Sequence, residues 1–157
     1  MDSIVKVVKT TSENSDFLSL IKTFDMYLWE RYPELKTNYW GNNIIELNRN
    51  VVVIYLDEKP VACGCFKKYD KNTIEIKRMF VSPEARGLGL AQRVLQELEL
   101  WAKELDYSVS LLETLHKQQE AISLYQKVGY VIVDNYGPYI GLDKSVCMQK
   151  IIGKIDK

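Results

Sequence analysis

Histidine is nearly missing from this chain: His116 is the only one in 157 residues, and the three cysteines lie at 63, 65 and 147. A tetrahedral zinc site would have to draw those scattered thiols to a single imidazole, so no metal is expected. Cys63 and Cys65 stand two apart in a strand-like run, which puts them on one face without disulfide geometry, and they read as reduced core thiols. Net charge is missing too. The 21 basic and 21 acidic residues cancel, leaving no global field to attract DNA or RNA, and nucleic acid is not an expected partner. The opening Met1-Asp2-Ser3-Ile4-Val5-Lys6 lacks the apolar stretch of a signal peptide, and no run approaches the roughly 20 apolar residues of a membrane span. A soluble, cytoplasmic protein with no membrane partner is expected. Linkers, low-complexity tracts and internal repeats are absent as well, so residues 1–157 are expected to form one domain, with a hydrophobic fraction of 46% to build its core.

What is present alternates between two periods. Ile4 to Val8 reads as a strand. Thr10 and Glu13 have the spacing of a capping box ahead of Phe17, Leu20, Ile21, Phe24 and Leu28, a helical stripe that should stop at Arg31-Tyr32-Pro33. The stretch from Glu34 to Asn50 gives no clear period. Val51 to Leu56 and Pro60 to Lys67 read as a hairpin turning at Asp57-Glu58-Lys59, and Thr73 to Val81 follows as a third strand after a loop from Lys68 to Asn72. Ala91, Val94, Leu95, Leu98, Trp101, Ala102 and Leu105 then mark an amphipathic helix beginning near Leu88. Ser108 to Glu113 reads as a strand, Gln118 to Val128 as a shorter helix stopped by Gly129, and Tyr130 to Asp134 and Val146 to Ile151 as closing strands. Strand, helix and strand from Thr73 to Glu113 imply one parallel pair, while the hairpins make the rest antiparallel. The expected fold is α/β: a mixed, mostly antiparallel central sheet with one parallel strand pair, flanked by helices.

The chemistry concentrates between the third strand and the long helix, in Ser82-Pro83-Glu84-Ala85-Arg86-Gly87-Leu88-Gly89-Leu90-Ala91. A glycine-rich turn feeding a helix N-terminus offers unpaired N–H groups and a partial positive charge, the glycines let phosphate oxygens approach the main chain, and Arg86 adds a cation. A diphosphate fits that description. A Rossmann site would need a third glycine where Gln92 stands, and the P-loop lysine is missing, so neither of those readings holds. A tight turn whose glycines merely solve a backbone problem remains open from these residues alone.

The run from Arg78 to Ala91 resembles the coenzyme A signature of the GNAT acetyltransferase superfamily, and Ala121-Ile122-Ser123-Leu124-Tyr125-Gln126-Lys127-Val128-Gly129-Tyr130 resembles that superfamily's second signature. Tyr32-Pro33-Glu34, Glu75 to Met79, Leu112-Glu113-Thr114, Gln118 and the tail from Tyr136 to Met148 extend the resemblance over nearly the whole chain, to a branch of small bacterial-type members. The resemblance implies the GNAT fold, with a splayed parallel pair, and acetyl-coenzyme A as cosubstrate. It places the pantetheine along the main chain of Met79, Phe80 and Val81, and the diphosphate on Arg86, Gly87, Leu88, Gly89, Leu90 and Ala91. Gln118 stands where many members carry asparagine and joins the cofactor-binding set.

Transfer to an amine needs a base for the ammonium proton and a proton for the departing thiolate. Tyr125 resembles the superfamily's proton donor and by that resemblance would contact the cofactor, although a tyrosine filling the inward helix face is the competing reading. Glu75 resembles the glutamate that some branches use as base, and Glu113 is the second candidate. Strand alternation puts Glu75, Lys77, Met79 and Val81 on one face, so a structural Glu75–Lys77 ion pair is the competing reading. Thr114, at the strand end, would orient the acceptor. Tyr32, Tyr39, Trp40, Tyr136 and Tyr139 fall in loops able to wall a pocket, with Tyr32 and Tyr139 taken as acceptor contacts. Arg78, and less so Arg31, would pair with an acceptor carboxylate. The expected acceptor is a small-molecule amine. Acetylation of protein N-termini or lysines, or a non-catalytic coenzyme A-binding module, stays open, as does a homodimer.

Overall fold

The computed structural model describes residues 3–33 and 48–154. In chain order these form β1 (Val5–Thr10), α1 (Ser15–Arg31), β2 (Asn50–Leu56), β3 (Lys59–Asp70), β4 (Thr73–Val81), α2 (Leu90–Glu104), β5 (Val109–Leu115), α3 (Gln119–Lys127), β6 (Val131–Val133) and β7 (Ser145–Ile151), with short 3-10 turns at Pro83–Ala85 and Gly137–Tyr139. The strands make one sheet in the order β1-β2-β3-β4-β5-β7-β6. Neighbours are antiparallel except β4 and β5, which run parallel as the intervening helix requires. The expected α/β architecture is the one observed. Among the described residues no helix is long and apolar enough to cross a membrane.

Helices cover both faces, which explains why Val51 to Ile54 are buried without a break. Val51 and Val53 pack with Phe17, Leu20, Ile21 and Phe80 beneath α1, whereas Val52 and Ile54 pack with Val94, Leu95 and Leu98 beneath α2. The 3.6-residue stripe of α2 lies on the sheet as its periodicity requires, with Leu90, Val94, Leu95, Leu98 and Ala102 buried. Cys63, Cys65 and Cys147 are buried thiols.

Several expectations need correction. The capping box at Thr10 and Glu13 does not form: Thr10 is drawn into β1 opposite Val51, and Asn14 caps α1 instead, its Oδ1 accepting from the Phe17 N–H at 2.9 Å. The helix expected near Leu88 starts at Leu90, because Gly87 and Gly89 hold left-handed φ values of 81° and 76°. β5 continues past Glu113 to Leu115 because β7 pairs with it that far. Residues 34–47, including Tyr39 and Trp40, lie outside the described residues.

The alternation assumed for β4 also fails. Between Cys63 and Cys65 the β3–β4 register shifts, and Arg78 has a φ of 59°. This bulge switches the strand's parity: Ile74 and Ile76 face α2, and so do Met79 and Val81, while Phe80 faces α1. Glu75 and Lys77 therefore do not share a face with Met79 and Val81.

Where α2 crosses β3 the helix lies close to the sheet. A Cβ on Gly64 would come within 2.6 Å of Met79 Sδ and 2.8 Å of Val94 Cγ1. Gly64→Ala is expected to destabilise the protein by about 1–3 kcal/mol, the usual range for overpacking. A melting temperature equal to that of the parent protein would show that the α2–β3 contact yields freely.

Candidate active site

Parallel pairing of β4 and β5 is confined to Thr73↔Val109, Ile74↔Ser110 and Glu75↔Leu111. Beyond Glu75 no described strand lies against the β5-side edge of β4, although β3 still pairs with its other edge as far as Val81. The two strands splay. Met79, Phe80 and Val81 border this opening, but their side chains are committed elsewhere: Met79 and Val81 pack on the α2 core, and Phe80 stacks on Phe24 at 5.1 Å between centroids. Only their main chain is placed to pair with something in the gap.

The glycine turn closes one end of the opening. After the 3-10 turn at Pro83–Ala85, Gly87 and Gly89 carry the chain into α2 in the left-handed region, and a Cβ at either position would meet nothing within 4 Å. Gly89 is the N-cap, so no side chain satisfies the first N–H groups of α2. Leu88 is exposed and Leu90 is buried in the core, so Leu90, like Gly87 and Gly89, offers main chain alone. Ala91 lies in the first turn of the helix, small and half-buried. Arg86 folds back from the turn: its Nε donates to the Val81 carbonyl at 3.3 Å, its Nη1 to Tyr27 Oη at 3.4 Å, and its guanidinium lies 5.0 Å from the Tyr27 ring centroid. Arg31 lies 4.5 Å from the same centroid. Open glycines, an uncapped helix N-terminus and a nearby guanidinium suit a diphosphate.

At the other end, Tyr125 projects from α3, is almost fully buried, and meets Tyr130 edge-on at 6.0 Å. Burial pushes its phenol up to about 12, and the nearby charge of Glu113 adds to the shift. Glu75 is held firmly: its Oε2 accepts from Tyr136 Oη at 2.7 Å, and its Oε1 lies 3.9 Å from both Lys67 and Lys77. The expected Glu75–Lys77 ion pair is thus present within a larger cluster. Glu113 accepts from Ser145 Oγ at 2.7 Å. Burial pushes its carboxyl up to about 7, the Ser145 hydrogen bond works against this, and the charge of Glu75 reinforces it. Tyr139 packs edge-on against Tyr136 at 5.4 Å, and burial with the charges of Glu75 and Glu113 raises its phenol well above the ordinary range.

The remaining candidates sit around this cluster. Thr114 Oγ1 donates to Gln118 Oε1 at 2.9 Å, so these two residues bind each other at the end of β5. Tyr32 ends α1 and packs against Leu115. Arg78 is buried and pairs through Nη1 with Asp25 Oδ1 at 2.9 Å. Ser145 and Asp25 were not found by sequence reasoning, since a lone serine or aspartate carries no spacing signal. In the sequence Tyr136 stands as one loop aromatic among several and as the first residue of the tail that carries the resemblance, without a tie to Glu75.

Comparison with known proteins accords with this geometry. Residues 14–130 match the acetyltransferase (GNAT) family. The chain belongs to that family. It is therefore an acyltransferase with acetyl-coenzyme A as cosubstrate. The chain is 29% identical over 153 residues to an IAA acetyltransferase of Azospirillum brasilense, covering 93% of this chain and 97% of the relative. A Klebsiella pneumoniae structure named as an acyl-CoA N-acyltransferase superposes with a TM-score of 0.75 at 25% identity, covering 95% of this chain and 98% of that one. The PaiA N-acetyltransferase of Thermoplasma acidophilum, solved with coenzyme A, has the same fold at a TM-score of 0.67 and 18% identity, covering 94% and 99%.

Glu113 ties the site to stability. It keeps its proton up to about 7 when folded, against an ordinary 4.5, so its favourable contribution is complete below pH 4.5 and is lost as pH rises through 7. Glu113→Gln, which keeps an acceptor for Ser145 but no charge, should be more stable than the parent protein at pH 8, by up to about 3 kcal/mol, with little difference at pH 4.5. Thermal melts at the two pH values decide it; an equal or lower stability of the variant at pH 8 would contradict the buried, proton-holding carboxyl.

Proposed function

We propose that residues 1–157 act as one domain that transfers the acetyl group of acetyl-coenzyme A to the primary amine of a small molecule in the cytoplasm. The observation that supports this most directly is the coincidence of the splayed β4–β5 edge with the open glycine turn at one end and the Tyr125–Glu113 pair at the other. When bound, the cosubstrate supplies an activated thioester. The main chain of Met79, Phe80 and Val81 holds its pantetheine arm, and Arg86, the Gly87–Gly89 turn and the first N–H groups of α2 at Leu90 and Ala91 hold its diphosphate. Gln118, held by the Thr114 hydrogen bond, joins the cofactor-binding set.

Glu113 is the better base of the two carboxylates. Glu75 already receives Tyr136 and lies beside two lysines, which suits it to anchoring the site, whereas a carboxyl titrating near 7 is matched to accepting a proton at working pH. Glu113 takes the ammonium proton, the neutral amine attacks directly, and Tyr125, which stays protonated to about 12, gives its proton to the departing sulfur and is restored by the second proton that the nitrogen loses as the amide forms. Tyr139, Tyr32 and Thr114 line the acceptor side. Buried Glu75 and Tyr139, with half-buried Tyr136 between them, favour a small acceptor over a peptide; an open groove would be needed for protein N-termini or lysines.

Acetyl-coenzyme A at 100 times its Kd should add about 2.7 kcal/mol of stability, or roughly 5–11 °C in Tm for a chain of this length, with NADH and ATP doing much less. Gly89→Glu, folded, should lose that shift, because it sets bulk and negative charge where the diphosphate lies; a retained shift places the diphosphate elsewhere.

Tyr125→Phe keeps the ring against Tyr130 but removes the proton, so kcat should fall by about 10²- to 10⁴-fold while the acetyl-coenzyme A Kd stays within a few-fold. Single-turnover rates measured beside steady-state rates guard against masking by product release. Undiminished single-turnover chemistry in the folded variant assigns the proton to water instead.

A further inference from the structure

Four non-glycine residues have positive φ among the described residues, and three of them, Asp57, Glu58 and Asp106, lie in turns. The fourth, Arg78 at 59°, lies inside β4. Simple alternation from Ile74 and Ile76 would have pointed Arg78 into the apolar layer under α2. The bulge instead sends it toward α1 and Asp25, as its neighbour Phe80 goes toward Phe24. A left-handed φ at a long-chained residue within a strand is a costly geometry that the surroundings must enforce, and such geometry concentrates at binding sites.

The guanidinium is only half used. Nη1 donates to Asp25, but Nη2 is buried with no hydrogen-bond partner among the described residues. Arginine presents parallel N–H groups that match both oxygens of a carboxylate, and a buried cationic donor left without an acceptor is disfavoured until something supplies one. Burial raises the Asp25 carboxyl above its usual range, while the adjacent guanidinium's charge and hydrogen bond lower it. Arg78 also follows directly on Lys77, whose ammonium lies 3.9 Å from Glu75 and whose charge is felt at Glu113. Lys67 and Lys77 lie beside the Glu75 carboxylate, and Arg78 pairs with Asp25.

We propose that the acceptor is an amine that also carries a carboxylate, and that the buried, partnerless Nη2 of Arg78 binds that carboxylate while the amine faces Glu113. The inference rests on the N-acetyltransferase reading above and narrows its acceptor to acid-bearing amines such as amino acids. Since Nη2 is shut off from solvent, acceptor binding includes a local opening on the α1 side, and a ligand without a carboxylate leaves Nη2 as it is.

Glycine, alanine, β-alanine, γ-aminobutyrate and aspartate, each beside its carboxamide, would be offered with acetyl-coenzyme A and followed by thiol release. At least one acid should be turned over with a kcat/KM at least about tenfold above its amide, as expected where a buried polar group selects for its partner. Arg78→Lys, which keeps the charge but loses the fork, should raise KM for that acid about tenfold or more, leaving its amide and the acetyl-coenzyme A Kd unchanged. Asp25→Asn, which breaks the tie to α1 but leaves Arg78 in place, should keep the preference for acid over amide. Amides used as well as acids, no turnover of any acid, or equal losses on acids and amides in both variants would each overturn the proposal, the last by making Arg78 a purely structural tie. Failure of acetyl-coenzyme A to bind, measured by calorimetry, would instead defeat the underlying reading; binding with turnover of simple alkylamines alone defeats only this inference.

Discussion

The rest of the site depends on where β4 stops pairing with β5. Three residue pairs, ending at Glu75 and Leu111, join the two strands, after which β5 follows β7 and β4 follows β3. Main-chain N–H and C=O groups in a sheet interior require partners, and leaving one buried without any costs roughly 1–3 kcal/mol. An opening in the middle of a sheet is tolerable only where water or a ligand fills it. That single constraint gives the fold a slot lined by main chain, with the glycine turn at one end and α3 at the other, and it separates the side chains of Met79, Phe80 and Val81, which build the core, from their backbone.

The bulge at Arg78 gives the slot two unlike walls. On the α2 side Met79 and Val81 continue an apolar layer. On the α1 side Glu75 and Lys77 gather with Glu113, Tyr136 and Tyr139, and Arg78 pairs with Asp25. Such a cluster is poor for stability, since buried charges lose hydration that their mutual attraction only partly restores. The raised Glu113 carboxyl is the visible sign of that cost, and the same shift is what suits the group to proton transfer near neutral pH. Stability and chemistry oppose each other at this residue for one electrostatic reason.

Tyr27 links the glycine turn to α1. Arg86 and Arg31 both lie over its ring, so the arginine of the glycine turn is positioned by a helix more than fifty residues earlier in the chain. Contacts of cations with an exposed aromatic are worth about 0.5–1 kcal/mol each. They are weak enough for Arg86 to exchange Tyr27 for an anion at the turn.

Local chemistry made much of this legible in the sequence. The 3.6-residue stripe of α2, the β-branched runs of β2 and β3 and the glycines before α2 each express a backbone preference or a burial pattern that neighbouring residues decide among themselves, and the order of strand, helix and strand implied the parallel pair. The resemblance of two separated segments to one superfamily pointed to the cofactor, and membership of that family bears it out. Long-range contacts decided the remainder. Thr10 went to β1 because β2 lay beside it, and Asn14 took the cap. Alternation along β4 broke because a bulge is a property of two strands in register, which no single strand reveals. The ranking of Glu113 over Glu75 as a base rests on Ser145, Tyr136, Lys67 and Lys77, groups brought in from three other strands and a distant loop. Which carboxylate is paired and which is left to titrate depends on burial and on charges distant along the chain, so only the tertiary structure decides it.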